Sequence, residues 1–171
     1  MTAAARRVLA DCRLVLSMLE EETDPHKFRV LWAAALVLIR TVGDVLIRID
    51  GRGRFPRPFV KERSKSWLNG ALENAIFKDF IKHERDQIVH EYCSDLDLRE
   101  KVPITVIDGR AAYFLHGAQG SGTSFETDEN IFRPIATGAW AGEDGRDVSL
   151  ESIEWWEREI AEMEAKWPVA K

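Results

Sequence analysis

Apolar residues in the first 93 positions recur at intervals of three and four, the period of helices that each bury one face. Residues 3–22 place Leu9, Cys12, Leu16 and Leu19 on one side, and the run closes with Glu20, Glu21 and Glu22. Asp24 then suits an N-cap and Pro25 the first helical position, so a second helix is predicted over 25–49, stopped by Asp50 and Gly51. Its middle, residues 31–39, is apolar nearly all round, as befits the most buried member of a bundle. Gly43 either lets a neighbouring helix approach closely or merely weakens its own helix. A third helix is predicted over 61–74 around Trp67, Leu68 and Leu72, with a break at Asn69-Gly70, and a fourth over 75–93.

After Lys101 the pattern changes. Residues 102–107 are rich in strand formers, Asp108-Gly109 is a two-residue turn signal, and 111–115 continue beyond it, which predicts a hairpin. The glycines of 117–124 suggest a phosphate cradle, but the Gly-Lys-Ser/Thr ending of a P-loop is missing, and a linker is the better reading. Residues 131–135 are expected to add a third short strand, confined to an edge by Pro134. The last helix is predicted over 150–167, capped by Ser149, with Ile153, Trp156, Ile160, Met163 and Trp167 as its apolar stripe and glutamates between them. Trp155 lies off that stripe and marks either a partner surface or a partly buried singleton. The expected fold is mainly α: an up-and-down bundle of four to five helices, one domain over 1–171, with 101–148 as a small β-hairpin appendage.

Composition adds bounds. A chain of 171 residues, 45% hydrophobic and 31% charged, is an ordinary globular domain, long enough to bury about 70% of its unfolded surface. Cys12 and Cys93 are isolated thiols without metal spacing, which fits a reducing compartment better than a disulfide framework. Arg6 and Arg7 are not followed by an uninterrupted apolar segment and cleavage site, and the longest apolar run, 30–39, is too short to span a bilayer. A soluble, cytoplasmic protein with no membrane attachment is expected.

Charge is unevenly spread. Between 48 and 65 the basic residues Arg48, Arg52, Arg54, Arg57, Lys61, Arg63 and Lys65 face only Asp50 and Glu62, a local net of +5 in a chain whose net charge is −5. Glycines and prolines make the first half of this stretch a loop, to which Phe55 and Phe59 add aromatic surface. Arg52, Arg54, Arg57 and Lys61 are the candidate RNA-binding residues: guanidinium and ammonium groups hold backbone phosphates, and unstacked bases lie on aromatic faces. The alternative is a solvated loop whose phenylalanines anchor it to the core. The last helix is too acidic to receive nucleic acid.

The candidate chemistry lies in 75–93. Ile76, Phe77, Phe80, Ile81, Ile88, Val89 and Tyr92 fall mostly in one sector roughly 160° wide, with Val89 at its edge. Glu84 projects into the middle of that sector, and Arg85 and His90 lie on its flanks, roughly 140° apart. A carboxylate facing a core with an arginine and a histidine beside it fills a core poorly. A polar task is indicated.

Arg85-Asp86-Gln87-Ile88-Val89-His90-Glu91-Tyr92 resembles the signature of the HEPN superfamily, in which an arginine, usually followed by a polar residue, precedes a histidine by four to six positions. The trailing His90-x-Tyr92 resembles toxin-type members that are paired with a nucleotidyltransferase antitoxin. The resemblance covers about 40 residues and says nothing of 101–148. It implies a compact helical bundle, commonly dimeric, with metal-independent ribonuclease activity, and it implies that Tyr92 is where an antitoxin attaches nucleotides. A second match, Arg110 to His116, lacks the polar follower and sits in a predicted strand.

RNA cleavage without metal needs a base for the ribose 2′-hydroxyl and an acid for the leaving 5′-oxygen, and histidine, with a model-peptide pKa near 6.5, can serve as either. Guanidinium stabilises the charge that builds on the phosphoryl oxygens. One chain offers a single suitable histidine, so a two-fold dimer apposing two copies of this helix is expected. Asp86, four residues before His90, is the candidate to orient its imidazole, Glu84 to hold Arg85 or a partner-chain arginine, and Tyr92 to contact substrate. His83 and Asp79 raise metal ligation as a thought, but other helices offer no Glu-x-x-His, and no metal or other cofactor is assigned. Three functions stand: a dimeric metal-independent endoribonuclease of toxin or defence type, a catalytically silent HEPN-like module that binds nucleotide or a protein, and a structural helical protein without activity.

Overall fold

The computed structural model describes residues 2–52, 54–69, 71–99, 102–107, 110–113, 123–127 and 132–168. It is a mainly helical bundle with a small antiparallel sheet, as the pattern predicts. Helix α1 spans Ala3–Glu21 and α2 spans Pro25–Val45, and the short link between them makes the pair antiparallel. Asp24 caps α2 as expected, accepting hydrogen bonds from the His26 and Lys27 N–H groups at 2.8 and 3.3 Å. The chain then widens into a π-helical turn, Leu46–Asp50. That turn brings the Asp50 carboxylate onto the free N–H groups of Ala4 and Ala5 at the start of α1 (3.2 and 2.8 Å). An acidic group there satisfies donors that α1 cannot, since Thr2 supplies no side-chain cap.

Helix α3 spans Arg57–Ser66, earlier than the predicted 61–74, because Pro58 near its N-terminus is compatible with a first helical turn. It ends before Asn69, and a 3₁₀ turn follows at Leu72–Asn74. The single helix predicted over 75–93 is two pieces, a π-helical segment Ile76–Lys82 and α4, His83–Glu91. The wider π turn lets Ile76, Phe77, Phe80 and Ile81 all face inward. Tyr92 departs from the helix in the left-handed region, with φ of 53°.

Strands β1 (Pro103–Ile107) and β2 (Arg110–Tyr113) form the predicted hairpin, with Ile107 opposite Arg110. The third strand is β3, Thr123–Glu126, which pairs with the other edge of β1 to give the order β2-β1-β3. Thr123 and Ser124 therefore belong to the sheet and not to the predicted linker, whose residues 117–122 lie outside the described residues, as does Ile131. Pro134 and Ile135 form only isolated bridges, to Asp144 and Leu96.

Helix α5, Gly145–Lys166, closes the bundle. Its cap is Asp144, whose carboxylate accepts from the Arg146 N–H at 2.9 Å, so Ser149 is an interior, fully buried residue and not the cap. Arg6 pairs with Glu164 and Arg13 with Glu157, which sets α5 antiparallel to α1. Phe28, Trp32, Leu36, Ile39 and Val42 of α2 are buried at the centre. By length and composition Pro25–Asp50 would suffice to cross a membrane, because the helix carries its apolar character past the uninterrupted run at 30–39.

Trp155 is no partner surface. It is 4% exposed, its indole N–H donates to the Glu73 carbonyl at 2.9 Å, and its ring packs with Trp67, Phe77 and Trp156. Trp167, by contrast, lies past the helix end and is 38% exposed, against the ring of Phe59.

Candidate functional site

The residues of the signature divide between the two sides of α4. His90 is exposed and lines an open cleft of about 660 Å³, together with Lys78, Lys82, His83 and Asp86 on the same helical wall and Gly138 across it. His90 makes no hydrogen bond or ion pair among the described residues. Asp86, expected to orient it, is otherwise engaged: the Lys82 ammonium donates to it at 3.0 Å and the Arg85 guanidinium at 2.7 Å. Burial alone would raise the Asp86 carboxyl; Lys82, then the charges of Arg85 and His90, outweigh it and hold the group below its ordinary range. Arg85 itself is half-buried and does not line the cleft.

Glu84 is 2% exposed, as its place on the helical wheel predicts, but it does not hold Arg85. Its carboxylate accepts from the Ser94 hydroxyl at 3.0 Å, and that hydroxyl in turn accepts from the Trp32 indole N–H at 2.8 Å. Burial pushes the Glu84 carboxyl up; the Ser94 hydrogen bond opposes this, and the Asp95 carboxylate reinforces it. Tyr92 leaves the helix in the left-handed region. It is 67% exposed, with the Arg29 guanidinium 5.5 Å from its ring centre.

A residue that the helical wheel could not supply stands beside Glu84. Asp95, twelve positions after His83, folds back so that its carboxylate is 3.2 Å from His83 Nε2. One ligand atom from each of His83, Glu84 and Asp95 lies within 4.8 Å of the others, the set among the described residues with the donors and spacing to hold a metal ion. The signal available in the sequence was Glu84, a carboxylate aimed at a core.

The basic stretch forms a second cleft of about 720 Å³. Arg52, Arg57 and Lys61 line its rim with Ser64, over a floor of Ile47, Phe55 and Val60. Arg52, Arg57 and Lys61 are exposed and form no ion pair among the described residues. Arg54 is different: it is half-buried over the Phe55 ring, 3.9 Å from the Glu164 carboxylate, and does not line the cleft. Phe55 is itself buried (4% exposed) and packs against Phe59, so the aromatic pair anchors the stretch and offers little surface for bases. Arg57 stands on α3 and not on the predicted loop, and Lys61 is helical as predicted. Arg63 is tied to Glu159 and Glu162.

The two clefts share no lining residue: the first is walled mainly by residues 78–91, the second by residues 47–64. In comparisons with known proteins, the chain matches no family model, no curated protein and no solved structure.

Proposed function

We propose that this protein is a metal-independent endoribonuclease of toxin or defence type, soluble and cytoplasmic, that acts as a homodimer through Arg85 and His90. The observation that carries the reading is the position of His90, exposed on a cleft wall that also bears Lys78 and Lys82. An imidazole that makes no hydrogen bond among the described residues can move a proton at a ribose 2′-hydroxyl or a leaving 5′-oxygen. Lys78 and Lys82 stand beside the Asp79 and Asp86 carboxylates of the same wall, at 3.7 and 3.0 Å, and would have to turn from them to meet a phosphodiester. The HEPN-like spacing of Arg85 and His90 points to the same chemistry. His83 lines this cleft too, but Asp95 and Gln87 engage its Nε2 at 3.2 Å each. The acid and the base therefore fall to His90 from two chains, with the α4 helices near the two-fold axis. Tyr92 is exposed enough for a nucleotidyltransferase antitoxin to modify it.

The test is incubation of RNA with wild type and with His90→Ala, followed by analysis of the cut ends. Wild type is expected to leave 2′,3′-cyclic phosphate and 5′-hydroxyl ends, and the variant to leave RNA whole. Cuts with 5′-phosphate ends would sink the reading, as would a strict monomer by light scattering.

A second reading has its own observation. Arg85 is neutralised by Asp86 at 2.7 Å, which suits a binding module that holds nucleotide or a protein and leaves RNA uncut.

A further inference from the structure

Three groups at the start of α4 are unused by that chemistry. Glu84 is 2% exposed, and its hydrogen-bond donors are neutral, the Ser94 hydroxyl and the Asp95 backbone N–H. No lysine or arginine pairs with it among the described residues. Facing it is a second carboxylate, Asp95, whose side chain is 19% exposed. Two carboxylates so close and so poorly hydrated repel each other, and burial of an unpaired carboxylate is costly. Beside them stands the imidazole of His83, half-exposed at the surface. A positive ion between them would remove the conflict.

We propose that His83, Glu84 and Asp95 bind one divalent first-row transition cation of the zinc or manganese class. One imidazole nitrogen with two carboxylate oxygens suits such an ion better than calcium or magnesium, which favour oxygen throughout. Ligand atoms about 2.0–2.1 Å from a tetrahedral ion stand about 3.3 Å apart. The 3.2 Å between His83 Nε2 and Asp95 Oδ2 already has that size, and all three donors lie within 4.8 Å. Small side-chain rotations complete the closure.

The surroundings fit the same ion. Trp32 donates to Ser94 and Ser94 to Glu84, a chain of hydrogen bonds that fixes the carboxylate. Gln87 brings its amide to 3.2 Å from His83 Nε2, while its Oε1 is buried without a donor. A half-turn of that amide exchanges its oxygen and nitrogen, two atoms of nearly equal size, and sets an oxygen beside the site as a fourth ligand. His83 lines one cleft and Asp95 another, so the ion has an entry path from either side. Bound there, it ties the first turn of α4 to the segment that carries Asp95, whatever chemistry His90 performs.

The experiment uses the full chain, stripped with EDTA and dialysed, then titrated with Zn2+ and with Mn2+ by calorimetry and thermal unfolding. One equivalent per chain and a raised Tm are expected for at least one of the two ions, and Co2+ should give visible absorption bands. His83→Ala, at the surface, and Asp95→Asn, nearly isosteric, should each weaken binding at least tenfold, while Asp79→Asn and Cys93→Ser leave it intact. Metal-free Glu84→Gln should be no less stable than wild type, because the amide relieves the paired carboxylates, and its Tm should not respond to metal. Circular dichroism confirms folding; should Asp95→Asn unfold, His83→Ala alone decides. Absence of binding by wild type overturns the proposal, and so does undiminished binding by folded His83→Ala. Neither readout depends on ribonuclease activity.

Discussion

Trp67 donates its indole N–H to the carboxylate of Glu159 at 2.6 Å, across 92 residues of sequence. Both are buried, and Arg63 from α3 reaches the same carboxylate at 2.8 Å. The acidic face of α5 thus sends one glutamate inward to bind the turn after α3. Replacing Trp67 by Phe keeps most of the aromatic packing and removes the donor, leaving a buried charged acceptor short of one bond. Urea unfolding should show a loss of about 1–3 kcal/mol; an unchanged midpoint would mean that Arg63 alone satisfies Glu159.

Gly43 should resist substitution by alanine. A Cβ there would lie 2.5 Å from Cη2 and 2.9 Å from Cζ2 of Trp156, a rigid indole that is fully buried. In an exposed helix the same change gains about 1 kcal/mol; here overpacking should reverse the sign and cost about 1–3 kcal/mol in chemical denaturation. A more stable Gly43→Ala variant would show that the α2–α5 contact yields.

Acid should weaken the junction of the chain start with α5. Burial would raise the Glu164 carboxyl, but the Arg6 guanidinium and the Thr2 N–H and hydroxyl outweigh it and hold it at about 2. A carboxyl depressed in the folded state stabilises fully above its ordinary value of 4.5, and that contribution fades as pH falls toward about 2. Thermal unfolding of wild type and Glu164→Gln should therefore differ most above pH 5 and converge toward pH 2. A constant gap across this range would remove Glu164 from the acid response.

The two halves of the RNA proposal separate by mutation. His90→Ala should slow cleavage at least about 100-fold, the usual scale for an acid-base group, and Arg85→Ala should do the same if its guanidinium leaves Asp86 for the phosphoryl oxygens. If wild type binds RNA but cuts nothing under any condition, the binding-module reading takes its place.

The basic cleft predicts a salt effect. Joint replacement of Arg52, Arg57 and Lys61 by alanine should lower the slope of log K against log salt by about 3, roughly one for each phosphate that a removed cation had neutralised. Arg54→Ala should leave that slope alone and lower the Tm instead, since Arg54 packs on Phe55 and faces Glu164. An unchanged slope in the triple variant would leave the cleft simply solvated.

Local pattern alone determined much of this protein. The spacing of Leu9, Cys12, Leu16 and Leu19, the Asp24-Pro25 start of α2, the hairpin after Lys101 and the inward place of Glu84 were all legible, because helical period, capping and turn chemistry act within a few residues. Tertiary structure decided what those elements touch. Asp50 caps a helix 45 residues away, Glu159 turns inward to Trp67, and Asp95 folds back onto His83. It also separated Arg85 from the cleft that His90 lines, and gave the basic residues a cleft of their own. Such pairings arise when buried polar groups find partners during packing, and a buried donor or carboxylate accepts whichever partner the fold brings within about 3 Å, however distant in the chain. Sequence spacing carries no record of that choice.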